Sequence, residues 1–338
     1  MRAVGRTATW CMAIAACAHG MATVACAPSM VPARVSDGEP VSAREREAER
    51  RIQKARCGAA NGLIFPGVGQ ACQGRAGESA VLGGLATAEL ATAVGVAVHE
   101  DRGWAGFEHP AAAIPLVAVQ DLWLIGYADA YYEEQRARRM RYVPQEKLSE
   151  LVVAPFNPRV LSSTDVWVGI PLMVAAGVGV SVLAGEPMDT KHAGDDPNLF
   201  GRTVDRAWGY PAAGAVGVAV FTHVAMGEEM TFRGLIQSSM AREMDETSGW
   251  AGASLAFGAL HATNVPSMPR NERERYLFIG VPFITMVGSY MGLSYRWNRY
   301  SLSAPIAIHF WYDLLLSAAY FAADPTSSPL SARVVVPF

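Results

Sequence analysis

Long apolar runs separated by short polar stretches dominate the chain. They occupy residues 79–98, 111–130, 165–184, 210–227, 249–263, 276–295 and 304–323, with a further run of small side chains over 8–25. Most approach the ~20 residues that a helix needs to cross the hydrocarbon core of a bilayer. None shows the alternation of a barrel strand, and no internal repeat is visible. The pattern predicts an all-α fold, a polytopic helical membrane protein with about 7–8 transmembrane helices.

The polar stretches divide the chain. Arg2 and Arg6 ahead of the 8–25 run give residues 1–26 the form of a signal peptide or signal anchor. Residues 27–57 form a polar linker, in which Ser42 to Arg56 mixes both charge signs and predicts a solvated helix laced with i,i+4 pairs. Residues 58–132 form an N-terminal membrane hairpin region. It opens on Gly62 to Gln70, which Pro66, Gly67 and Gly69 break and which is too short to span. With the run that follows, this stretch resembles the Pro-Gly-x-Gly-Gln hairpins of small bacterial membrane modules.

Residues 133–164 carry Arg136, Arg138, Arg139, Arg141 and Lys147, a loop that the positive-inside rule places in the cytoplasm. The acidic loop Gly185 to Arg206 is placed outside. Arg296 and Arg299 agree with that orientation, whereas Arg270, Arg273 and Arg275 run against it. A membrane domain over residues 165–323 and a tail over 324–338 complete the division.

Composition supports the membrane reading. Hydrophobic residues make up 51% of the chain and charged ones 17%, against about 25% charged in soluble domains, and mean hydropathy is positive. A net charge of -3 and the lack of a basic face interleaved with aromatics exclude a nucleic-acid partner. The five cysteines (Cys11, Cys17, Cys26, Cys57 and Cys72) contain no CxxC pair, so neither a structural zinc site nor a disulfide framework is expected. Thr23-Val24-Ala25-Cys26 resembles a lipoprotein cleavage box with threonine in place of leucine.

Chemistry concentrates in three places. Gly227-Glu228-Glu229-Met230-Thr231-Phe232-Arg233-Gly234 sets two carboxylates and an arginine in a segment otherwise suited to lipid, where an ionisable group costs roughly 2.5–3.5 kcal/mol near the bilayer centre. On a continuous helix, Glu229 and Arg233 share a face and pair, while Glu228 points about 100° away and stays available. Phe257-Gly258-Ala259-Leu260-His261 places a histidine near the end of one predicted helix. Pro305 opens the last helix, which carries His309 and Asp313 one turn apart. Glu89, Gln120 and Asp121 are read as polar contacts between packed helices, and His223 as a core histidine.

Taken together, Glu228-Glu229-x-x-x-Arg233, Phe257-x-x-x-His261 and His309-x-x-x-Asp313 resemble, in order and spacing, the three motifs of the CPBP family. This is the CAAX-protease and bacteriocin-processing (Abi) family of intramembrane proteases. Phe232-Arg233-Gly234-Leu235-Ile236-Gln237 and Ser303-x-Pro305-x-x-x-His309 extend the likeness, which covers roughly residues 165–323. Asp313 departs from the pattern, since the prenyl-processing members have asparagine there.

The resemblance implies an all-α membrane fold enclosing a polar intramembrane cavity. It makes Glu228 the base that activates water, helped by His261. His309 and Asp313 would stabilise the oxyanion, and Glu229 and Arg233 would give structural support. Glu228, His261, His309 and Asp313 also match a His₂-carboxylate metal set with an open position, suited to a divalent ion such as Zn. The expectation is an intramembrane endopeptidase, of glutamic or metallo type, acting on a membrane-bound protein or peptide from the bilayer of a bacterial inner membrane. Two alternatives stand beside it: a non-catalytic immunity or binding protein on the same scaffold, and a proton-coupled transporter.

Overall fold

The computed structural model describes residues 42–99, 109–183 and 188–327. The signal-like segment 1–26, residues 27–41 of the linker and residues 328–338 of the tail lie outside the described residues. The chain begins with α1 (Ala43–Asn61), as the mixed-charge stretch predicts. Ser42 and Glu45 cap it reciprocally: Glu45 N donates to Ser42 Oγ at 3.3 Å and Ser42 N to Glu45 Oε2 at 2.8 Å. Such a box satisfies backbone donors that the first helical turn otherwise leaves open. A turn through Gly67, whose φ of 89° suits a residue without Cβ, leads into the short α2 (Val68–Cys72).

The turn and α2 bring Cys72 back beside Cys57 on α1, and the two form a disulfide with a Cα–Cα distance of 5.9 Å. This corrects the sequence expectation of no disulfide. Spacing along the chain carries no sign of the pairing, because a helical hairpin and not a CxxC motif creates it. Changing Cys57 and Cys72 to serine is expected to cost about 3 kcal/mol, the entropy of an open loop of this length. The check is a lower melting temperature in detergent that matches the fall on adding reductant to wild type.

Two long antiparallel helices follow, α3 (Ala76–His99) and α4 (Pro110–Ala137), packed along each other. Short helices α5 (Leu148–Val153) and α6 (Pro158–Leu161) lead to α7 (Thr164–Leu183). A two-residue antiparallel ladder, β1 (Asn198–Leu199) with β2 (Arg202–Thr203), interrupts the otherwise helical chain. Asp205 then caps α8 (Arg206–Glu229), accepting from Ala207 N at 2.9 Å. The helix continues as a π-helical segment, Met230–Gln237, and finishes as α9 (Ser238–Glu243).

Asp245 caps α10 (Glu246–His261). The chain closes with α11 (Arg270–Arg275), a second π segment (Tyr276–Gly280), α12 (Val281–Trp297) and α13 (Ser303–Ala323).

Six helical stretches are long and apolar enough to cross a membrane: 76–99, 111–137, 164–183, 206–243, 270–297 and 303–323. Their outer faces carry large apolar side chains such as Trp167, Leu183, Phe278 and Val98, all well exposed, as a bilayer rather than water would require. The chain is an all-α, multi-pass integral membrane protein. The expected count of about 7–8 falls to six among the described residues. The 8–25 run lies outside them, and α10, at 16 residues, is shorter than a span needs.

One side of the bundle gathers the ends of several helices. Glu146 of the basic loop accepts from Leu302 N at 2.9 Å and from the Ser301 hydroxyl. Tyr142 donates to Glu246 at 3.1 Å, and Asp165 accepts from Ser294 and Asn298, both at 2.6 Å. α1 and the disulfide lie on this side as well, held by Gln73, which donates to the carbonyls of Ala55 and Ala130. Disulfides persist in oxidising compartments, which pulls against the cytoplasmic placement that the basic residues suggest.

Candidate active site

The three motifs come together between α8, α10 and α13. The π turn after Glu229 adds width to the helix, a distortion that recurs at functional sites. Here it is held from outside: the Tyr132 hydroxyl on α4 donates to the Met230 carbonyl, and Ser238 Oγ donates to the Arg233 carbonyl at 3.2 Å. Gly234 makes room for that arrangement, since a Cβ there would overlap the Tyr132 hydroxyl.

Glu229 and Arg233 are both fully buried, and Arg233 Nε donates to Glu229 Oε2 at 2.9 Å. The pair expected from helical spacing therefore survives the π turn. The Arg233 guanidinium also lies 4.9 Å over the Phe257 ring, a cation–π contact that ties the arginine to α10. Glu229 has a second partner that the sequence does not announce. Its Oε1 faces His309 Nδ1 at 3.0 Å, so one glutamate braces both the arginine of its own helix and the histidine of α13. Eighty residues separate the two, and no local spacing rule reaches across that gap.

His309 lies roughly 9 Å along α13 from its first residue. The opposite edge of its ring, Nε2, is 3.3 Å from Asp313 Oδ2 and 3.7 Å from Glu228 Oε2. Both ring nitrogens thus face carboxylates, and the ring is fixed from two sides. Exposure separates the roles. The Glu228 side chain remains 24% accessible, against 7% for His309, 4% for Asp313 and 0% for Glu229. Glu228 Oε2 itself is covered and has no hydrogen-bond partner. The adjacent carboxylates are therefore unequal: Glu229 is bound by Arg233 and His309, while Glu228 Oε2 has only the longer contact with His309.

His261 ends α10 at the flank of this group. Its Nδ1 is 2.8 Å from the Phe257 carbonyl, so Nε2 is the nitrogen turned to other partners, and the imidazole interacts electrostatically with Glu228. The backbone beneath it is pinned by Tyr276, which donates to the His261 carbonyl at 3.0 Å and accepts from Asn264 at 3.1 Å. Tyr276 and Asn264 escaped the sequence reading, because neither belongs to a motif. A loop and a π turn bring them together. Phe257 stands between the rings of His261 and His309, at 4.7 and 6.1 Å.

The carboxylate–imidazole cluster thus sits among helices long and apolar enough to cross a membrane. A family model for type II CAAX prenyl endopeptidases, Rce1-like, matches residues 211–315, the segment that carries all three motifs. The matched segment agrees with the resemblance to the CPBP family of CAAX proteases, whose activity at the family level is that of an intramembrane endopeptidase. No curated protein matches the chain, and no solved structure does.

Proposed function

We propose that the chain hydrolyses a peptide bond of a membrane-associated protein or peptide, with Glu228 as the base that takes a proton from water. One observation carries this reading: of two neighbouring glutamates, Glu229 is buried and bound by Arg233 and His309, while Glu228 is partly exposed and its Oε2, without a hydrogen-bond partner, stands 3.7 Å from the His309 imidazole. Water held by Glu228 gives up a proton as its oxygen attacks the scissile carbonyl. Negative charge gathers on the carbonyl oxygen, where an N–H donor in low dielectric is most effective. His309 supplies that donor through Nε2, oriented by Glu229 and Asp313, and His261 assists from the other flank. The proton on Glu228 then passes to the leaving nitrogen.

The donors suit this role better than metal binding. Among the described residues, no three His, Cys, Asp or Glu side chains converge as a metal site. No step is therefore routed through a metal. The signal-like N-terminus favours a bacterial inner membrane as the setting.

The test compares membrane peptides from cells carrying wild type and Glu228→Gln, with protein levels matched. A set of cleavage products is expected to vanish in the variant. Unchanged products at equal expression would contradict the proposal.

A further inference from the structure

Glu89, Asp121 and His223, which the sequence presents as packing polarity, lie on helices that pack together. They lie on α3, α4 and α8, and α4 packs against both neighbours. Asp121 is 4% exposed, and its Oδ2 has no hydrogen-bond partner. It is pressed against the residue before the catalytic glutamate: a Cβ on Gly227 would lie 3.1 Å from Asp121 Oδ1 and 3.3 Å from its Cα. The charged groups that act on Asp121 are Glu228, Glu89 and His309.

Glu89 in turn stands 3.6 Å from His223 Nδ1, and the two side chains keep 19% and 22% exposure at the flank of the bundle. Glu89 Oε2 is also covered and unpartnered. The neighbouring helices α3, α4 and α8 thus each bring one covered carboxylate oxygen without a hydrogen-bond partner: Glu89 Oε2, Asp121 Oδ2 and Glu228 Oε2. Buried polar atoms are satisfied by protein or by ordered water, and carboxylates at membrane depth are costly enough to be rare without a task. Glu89 and Asp121 both precede the matched segment 211–315.

We infer that Asp121 is a positioning residue for catalysis, which relays protons through water between Glu228 and the Glu89–His223 pair. The inference rests on the protease reading above. As water attacks, the proton taken by Glu228 moves on to Asp121 and a proton leaves Asp121 toward Glu89. As the amine departs, the same transfers run in reverse and deliver one proton to its nitrogen. Nothing is oxidised or reduced, and no net charge accumulates. The hairpin α3–α4 thereby gains a catalytic purpose: it supplies the relay.

The experiment measures the peptide products that vanish in Glu228→Gln cells, in cells carrying Asp121→Asn or Asp121→Glu at equal expression. Asparagine keeps the shape of the side chain but cannot accept and pass a proton, and a lost acid–base group typically costs a hundredfold or more. A loss of roughly tenfold or more is expected, because Glu228 itself remains. Glutamate is longer and fits worse against Gly227, yet it restores the relay and is expected to outperform asparagine. Purified Asp121→Asn should melt within a few degrees of wild type.

A side chain that only fills space would give the reverse order, asparagine tolerated and glutamate damaging. That result, or wild-type products from Asp121→Asn, overturns the relay and leaves the protease reading standing. Products that persist in Glu228→Gln overturn both.

Discussion

Arg233→Met is expected to destabilise the bundle by about 3–5 kcal/mol, the usual cost of removing one partner from a buried ion pair. Methionine fills much of the volume, so the loss comes from charge rather than from a cavity. Glu229, with no exposed surface, would keep a single partner, His309 Nδ1 at 3.0 Å. The cation–π contact with Phe257 would go as well, loosening α10 and the His261 at its end. Arg233→Lys retains a charge but not the planar fork of a guanidinium, so it should fall between methionine and wild type. Thermal unfolding in detergent checks the order wild type, lysine, methionine. A methionine variant as stable as wild type would show that the pair contributes little.

His309→Ala is expected to reduce cleavage by roughly 100- to 1,000-fold, the range for removing one donor from an oxyanion site. His309 meets three carboxylates, Glu229 at 3.0 Å, Asp313 at 3.3 Å and Glu228 at 3.7 Å. Its removal takes away both the donor and the only imidazole that separates them. Asp313→Asn asks a narrower question. An amide keeps a polar group against Nε2, and asparagine is the residue of the prenyl-processing members, so this variant should retain most activity. Products counted for the two variants side by side distinguish a donor role for His309 from a general need for polarity. Equal losses from both would contradict the assignment.

Much of this architecture is legible in the amino-acid pattern, and the reasons are local. The spans 165–184 and 304–323 appear within a residue as α7 and α13, because continuous apolar runs bounded by polar residues leave a membrane helix few alternatives. The Glu229–Arg233 pair follows from helical spacing. What the sequence hides depends on tertiary neighbours. The Glu229–His309 contact joins α8 to α13. The Cys57–Cys72 disulfide depends on the turn at Gly67. Asp121 reads as ordinary helix-packing polarity until α4 is seen lying against Gly227. The π turn is invisible too, since its stabilising hydroxyl comes from Tyr132, far back in the chain.

Parallel measurement of melting temperature and product formation for Glu228→Gln and Glu229→Gln tests the central asymmetry most directly. Glu228→Gln should melt like wild type and form none of the products, because its Oε2 accepts no hydrogen bond in the resting protein and only the 3.7 Å contact with His309 is lost. Glu229→Gln should melt several degrees lower, because it leaves a buried Arg233 without its counter-ion. A Glu228→Gln protein that still cleaves, or one that loses as much stability as Glu229→Gln, would contradict the division between a free carboxylate and a bracing one.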